Sequence, residues 1–194
     1  MMEEAKNPQE LQRESKTMTL AKINPNSVSL AGEFAVLSQL ALRGYDANMT
    51  LGRTKSVDIL VSNPANGQMY QLEVKTNFKN NPKKGLWKST VWGNFASGWI
   101  MHKKHETNMS PTLFYCFVNI SKDTNLFKFY VVPSHVVAKY VKEQHALWLK
   151  VNRDAGKVVR DSDMRVFRIG QQKEKYPIST PTAERFENNW EFKS

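Results

Sequence analysis

The sequence predicts an α/β domain with a mixed central sheet flanked by helices and further elements added at its C-terminal end. Three observations point there. Apolar residues recur at helical spacing over 28–42; runs rich in Val, Ile, Leu and aromatics alternate with turn residues over 45–132; helical spacing then returns over 134–150. With 194 residues the chain is long enough to bury a sizeable core. No stretch approaches the roughly 20 apolar residues of a membrane span. The first residues lack the apolar run of a secretory signal, so a cytoplasmic protein is expected.

Residues 1–22 are polar and show no sustained period, which predicts an arm preceding one domain over 23–194. Asn24, Pro25, Asn26 and Ser27 punctuate the chain before the first helix. That helix places Val28, Ala31, Phe34, Ala35, Leu37, Leu40 and Ala41 on helical spacing, with Ser27 or Ser29 expected as its cap and Gly44 as its stop. Strands are expected at 45–49, 56–62 and 69–76. Asn63, Pro64, Asn66 and Gly67 make the last two an antiparallel hairpin. A basic loop follows over 77–91, then a predicted helix over 95–104, strands at 111–120 and 126–132, and a helix over 134–150 capped by Ser134. A strand at 164–169 and a short helix over 182–190 complete the reading. Cys116, the single cysteine, lies in an apolar run and reads as a buried thiol.

Charge narrows the partners. The formal net charge is +10. Residues 1–22 carry four acids and four bases, so the excess belongs to the body. From Lys75 to Lys104 there are seven lysines and no acid. Positive charge so concentrated attracts polyanions and releases counterions when phosphates bind. Lys79, Lys83, Lys84 and Lys88 are the candidates for phosphate contact, and Trp87 for base contact beside them. Trp99 reads as core. His102 and His105 read as a solvated helix end, because Lys103 and Lys104 would repel a cation held between them.

Strand periodicity locates the chemistry. Gln71, Glu73 and Lys75 share one face of their strand, opposite Tyr70, Leu72 and Val74; Asp58 lies opposite Val57, Ile59 and Val61. Turning the apolar sets inward leaves Asp58, Glu73 and Lys75 on a common side of the hairpin. Ionised groups with restricted hydration are costly there, and a divalent cation would satisfy the two carboxylates together. Mg2+ suits one or two carboxylates plus waters and phosphate oxygens, with Mn2+ as a substitute. Lys75 would hold the attacking water and offset charge on the phosphate. Glu33, with Leu37 and Leu40 one and two turns on, leans toward the sheet and is expected to hold a second metal or to act through water.

The order of a helix bearing Gly32-Glu33, then Val57-Asp58-Ile59-Leu60-Val61, then Gln71-Leu72-Glu73-Val74-Lys75-Thr76, resembles the PD-(D/E)xK, or restriction-endonuclease-like, nucleases. The resemblance covers about residues 27–132 and implies an α-β-β-β-α-β core. It makes Asp58 the motif aspartate, Glu73 and Lys75 the (D/E)xK pair, and Glu33 the helix-borne acid. It adds the Val74 backbone carbonyl to the metal ligands and sets Gln71 behind them. Val57 stands where the motif has proline, a position that does no chemistry. The implied function is a Mg2+-dependent endonuclease hydrolysing DNA, of restriction or repair type. The implied partner is double-stranded DNA, and pairing into a homodimer is a further expectation. Two alternatives stay open: a catalytically silent nucleic-acid-binding relative, and a nuclease acting on RNA.

Overall fold

The computed structural model describes residues 23–50, 57–83, 85–89, 93–170, 178 and 180–193. Its first helix, α1, spans Pro25–Ala41. The cap is Asn24 and not Ser27 or Ser29: the Asn24 side chain accepts from the Asn26 N–H at 2.9 Å, and Pro25 follows with a φ already suited to the first turn. Gly44 adopts φ +77° just past the helix, which a side chain would disfavour. The buried stripe is Gly32, Val36 and Leu40, and Phe34 is 55% exposed. The apolar face is thus narrower than the spacing suggested. The glycine lets the helix ride close on the sheet, and Ala31 and Phe34 fall outside the contact.

The central sheet has the order β1-β2-β3-β7-β8, formed by β1 (Asp46–Met49), β2 (Ile59–Ser62), β3 (Met69–Lys79), β7 (Leu113–Ser121) and β8 (Phe127–Pro133). All its neighbours are antiparallel except β3 and β7, so the sheet is mixed as expected. Two cores flank it. Leu72, Val74, Cys116 and Val118 pack against Val36 and Leu40 of α1, joined by Trp190 and Phe192 from the C-terminal end. Tyr115, Phe117, Tyr130 and Val132 pack on the other face, against Val137 and Val141 of α2 (Ser134–Asp154) and the side chains of a separate β-pair. Successive residues of β7 therefore serve opposite cores, and all nine are buried. Ser134 does not cap α2. Its hydroxyl donates to the Ser110 carbonyl at 2.9 Å and accepts from the Ser110 N–H at 3.0 Å, tying the helix start to the β7 approach.

Between β3 and β7 the structure departs from the α-β-β-β-α-β order. The predicted helix over 95–104 is absent; the segment holds β5 (Gly93–Phe95), β6 (Ser97–His102) and a 3-10 turn at Lys103–Glu106. Trp99 and Met101 point inward and Ile100 outward, a two-residue alternation. The partner of β6 is β9 (Met164–Ile169), some way further along the chain, so the strand depends on a pairing that local spacing does not encode. The short predicted helix over 182–190 shrinks to α3, Ala183–Phe186. Cys116 and Trp99 are buried as expected. Among the described residues no helix is long and apolar enough to cross a membrane.

Candidate active site

The site forms where β2 leaves β3. Only Met69–Leu72 of β3 pair with β2, whereas β3 continues to Lys79 against β7. Just before Ile59 the Asp58 side chain continues the contact with β3. Asp58 lies just before β2, its N–H bound to the Leu72 carbonyl at 2.8 Å, and its Oδ2 accepts from the Val74 N–H at 2.7 Å. The strand predicted from 56 therefore begins at Ile59, and Ser56 is outside the described residues. Continuing the β2–β3 register one step brings Asp58 opposite Glu73. A strand residue sends its N–H and C=O to the same side, so the Val74 carbonyl faces the edge that Asp58 occupies.

Glu73 faces the second core, in register with Tyr115, and is 4% exposed. Lys75 Nζ donates to Glu73 Oε1 at 2.5 Å, while Glu73 Oε2 is buried with no hydrogen-bond partner among the described residues. An orphaned carboxylate oxygen is expensive in a dry site. Burial raises the Asp58 pKa, opposed by the Val74 hydrogen bond; the Glu73 charge raises it further, and Lys75 and Lys104 lower it. Burial likewise raises the Glu33 pKa, with Asp58 adding and Lys75 subtracting. Glu33 of α1 is thus electrostatically linked to Asp58 and Lys75 across the α1–β3 contact. That contact is tight: a Cβ at Gly32 would lie 1.9 Å from Thr76 Oγ1.

This arrangement suits a divalent cation in part. Asp58, the orphaned Glu73 oxygen and the Val74 carbonyl supply hard oxygen donors at one strand edge. No group of three or more acidic, His or Cys side chains clusters closely enough to hold one ion among the described residues, so Glu33 would act at longer range. Gln71 is exposed at the end of the Glu73 face, beside Leu60.

The sequence reading missed three neighbours. His105 is not a solvated helix end: it is 2% exposed, and its Nδ1 sits 2.8 Å from the Tyr115 hydroxyl. Burial, then the charges of Lys75, Lys104 and His102, lowers its pKa to about 3, so the ring stays neutral. Burial and the adjacent Glu73 raise the Tyr115 pKa, which keeps the phenol protonated. Lys104 acts on Asp58 from the 3-10 turn. The acid-free composition of the segment flagged Lys104 only as part of a charge run, and nothing local marked His105 as buried.

A cleft of about 310 Å3 leads away from Lys75 and is lined by Ser29, Lys75, Asn77, Lys79, Gly98 and Ile100. Asn77 Nδ2 donates to Ser97 Oγ and the Gly98 carbonyl, each at 3.1 Å, binding β3 to β6 along its floor. Lys79 Nζ donates to the Gly98 carbonyl at 3.0 Å and lies 6.0 Å from the centre of the Trp87 ring. Removal from water and the nearby Arg168 lower its pKa. Lys83 and Lys88 are exposed beyond it, Trp87 is half-buried, and Lys84 lies outside the described residues.

No model of a known protein family matches the chain, and no curated protein is significantly similar in sequence. Among solved structures, the chain is similar to that of a bacterial homing endonuclease, I-Ssp6803I. The TM-score is 0.46 and the identity 14%, over 87% of this chain and 90% of that one.

Proposed function

We propose that the protein is a divalent-metal-dependent phosphodiesterase that hydrolyses DNA, organised as a PD-(D/E)xK nuclease with Asp58, Glu73 and Lys75 at its centre and Glu33 beside them. One observation carries the reading: a buried carboxylate, opposite Asp58 and bound to Lys75, with an oxygen that has no partner among the described residues, at the point of β3 where its pairing with β2 ends. Structural burial alone does not account for this group. An apolar residue at 73 would fill the same space without the cost of a desolvated charge.

Asp58, Glu73 and the Val74 carbonyl would hold Mg2+ or Mn2+, which when bound supplies polarisation of the scissile phosphate and a lower pKa for water. The other tasks fall to the chain. The Lys75 ammonium stands beside Glu73, placed to orient the attacking water and to offset negative charge gathering on the phosphorus oxygens. Glu33 adds negative potential from α1. Tyr115 and His105, neutral and buried, wall off the Glu73 side from bulk water. The lysines along the cleft and beyond it carry the backbone of the substrate. One such centre cuts one strand, so a double-strand break calls for two copies of the chain.

Digestion of a supercoiled plasmid with Mg2+, with Mn2+ and with EDTA tests the reading, with structured RNA as a parallel substrate. Cleavage of plasmid that EDTA abolishes supports it. Binding without cleavage in either metal would replace it with the silent relative, and cleavage of RNA alone with the RNA nuclease.

A further inference from the structure

The β6–β9 pair is a sheet of its own, apart from the pair of β4 (Trp87–Ser89) and β5. Its inner face packs Trp99, Met101, Phe167 and Ile169 into the second core. Register sets its outer face: Gly98 pairs with Arg168, Ile100 with Val166 and His102 with Met164. Two cavities meet there. The cleft from Lys75 reaches Gly98 and Ile100 on β6. Another pocket, of about 140 Å3, opens one strand further on, between Met164, Val166 and Arg168 of β9 and Gln144, His145 and Trp148 of α2. It suits a single flat ring system, since sites for drug-sized ligands run to roughly 300–1,000 Å3. The His145 and Trp148 rings stack with centroids 5.6 Å apart and planes 23° apart. His145 Nε2 donates to Asp161 Oδ1 at 2.8 Å, which holds this aromatic wall in place. Met164 and Val166 add aliphatic surface from β9. Gln144 is 5% exposed, and its side-chain amide makes no hydrogen bond among the described residues. A largely buried amide without a protein partner is costly, and it offers a donor and an acceptor side by side. A nucleobase edge matches both, as a glutamine amide matches adenine N6 and N7.

We propose that this pocket receives an unpaired base of the substrate strand, so that the protein prefers DNA with an unpaired nucleotide near the cut. The inference rests on the nuclease reading of the Asp58–Glu73–Lys75 site. Trp148 would stack on the base, and the Gln144 amide would take its edge. Between cleft and pocket stands Ile100, 72% exposed, an apolar side chain of the kind that wedges between base steps. Position supplies the path. Paired strands lie about 4.8 Å apart, and a DNA strand advances roughly 3.4 Å per nucleotide. A strand whose phosphates follow Lys75 and Lys79 along the cleft therefore brings a neighbouring base over Ile100 to Val166. Swinging a base out of the stack costs least where it has no pairing partner, which sets the preference for unpaired over paired sites.

The test compares binding of the full chain, in Ca2+ without Mg2+, to a fully paired duplex and to the same duplex carrying one bulged adenine. Wild type should bind the bulged duplex on the order of tenfold more tightly, which is what stacking one base on an aromatic side chain supplies. Q144L keeps the bulk and removes the amide; W148A removes the stacking wall. Each should lose most of the preference while binding the paired duplex, and cutting it in Mg2+, as wild type does. Urea denaturation checks that both variants fold, and if W148A does not, Q144L alone decides. The pocket reading is overturned if wild type binds the two duplexes equally. It is also overturned if Q144L keeps the full preference, which would then belong to the flexibility of bulged DNA, or if Q144L weakens binding to both duplexes alike. In those three cases metal-dependent plasmid cleavage by wild type leaves the nuclease reading standing. Absence of both DNA binding and cleavage in wild type would remove the two together.

Discussion

Gly32 is the position where a single methyl group should separate activity from folding. A Cβ there would lie 1.9 Å from Thr76 Oγ1 and 2.9 Å from both Thr76 Cβ and Cγ2. Rotating the Thr76 side chain relieves the first contact and leaves the Cβ contact, so α1 must also move. Ordinary carbon contacts begin near 3.5 Å, which asks for a displacement on the order of 1 Å. Two terms then oppose each other in stability. Overpacking costs about 1–3 kcal/mol, and alanine in a helix interior returns up to about 1 kcal/mol relative to glycine. The Gly32→Ala protein should therefore remain folded, destabilised by about 0–3 kcal/mol. Glu33, the next residue, moves with the helix relative to Asp58 and Lys75, and a misplacement of that size costs on the order of a hundredfold in rate. Thr76 Oγ1 is buried without a partner among the described residues, so removing it sacrifices no hydrogen bond there. Gly32→Ala with Thr76→Gly, which removes the opposing Cβ as well, should recover at least tenfold of the lost cleavage. Plasmid nicking rates and urea denaturation of the three variants provide the measurement. Wild-type cleavage by Gly32→Ala, or no recovery in the double variant, would refute the idea that the α1–β3 approach positions the site.

Three other outcomes are expected. Asp58→Asn keeps an oxygen for the Val74 N–H but removes a charge whose pKa the fold raises above 3.8, and such a carboxyl destabilises the fold as pH rises through that range. Without metal the variant should be at least as stable as wild type at pH 7, and it should lose the roughly 2.7 kcal/mol that Mn2+ at a hundred times its Kd confers, read by thermal melts. Lys75→Ala should lose on the order of a hundredfold or more in cleavage while calorimetry finds Mn2+ binding kept or tightened, because its charge acts on the transition state and competes with the cation. His105 has a folded pKa of about 3 against 6.5 when unfolded, so the unfolded chain binds the extra proton between those values. Stability should fall as pH drops below 6.5, by up to about 1.4 kcal/mol per pH unit, and urea titrations of His105→Gln should show that dependence flattened.

Much of this site is legible in the sequence because period-two alternation is a local property. Glu73 and Lys75 share a face, Asp58 falls opposite Glu73, and the turn residues from Asn63 to Gly67 pair their strands, all as the spacing implies. The parts that were not legible depend on distant partners. The β6 strand is held by β9, and His105 is buried by Tyr115 and the second core, neither of which leaves a mark on 95–105 itself. Trp99 is core on either reading, so burial could not separate helix from strand there. The α1 stripe failed for a different reason. Apolar residues surround that helix on several sides, Leu30 and Phe34 among the exposed ones, so spacing alone could not say which side meets the sheet. Gly32 decides it, and glycine counts for nothing in an apolar tally.

The same glycine shows why the chemistry sits at this end of β3. Leu72 and Val74 anchor the strand in the first core, and Tyr115 and Phe117 close the second core beside Glu73 and Lys75. A strand so held on both faces cannot yield. Among the described residues, its one side without a paired strand is the backbone edge past Leu72, where β2 has ended. Asp58 fills only part of that edge, with one oxygen on the Val74 N–H. A bulky residue at 32 would lift α1 away from the same stretch, whereas glycine brings Glu33 down toward it. Rigid support on two faces and an edge that β2 does not reach give carboxylates a fixed geometry without mutual satisfaction. Side chains placed for stability alone would be expected to pair off. Glu73 pairs with Lys75 through one oxygen and leaves the other orphaned, Asp58 keeps a raised pKa, and the stability that Asp58 forgoes is the quantity that metal-dependent melting of Asp58→Asn should expose.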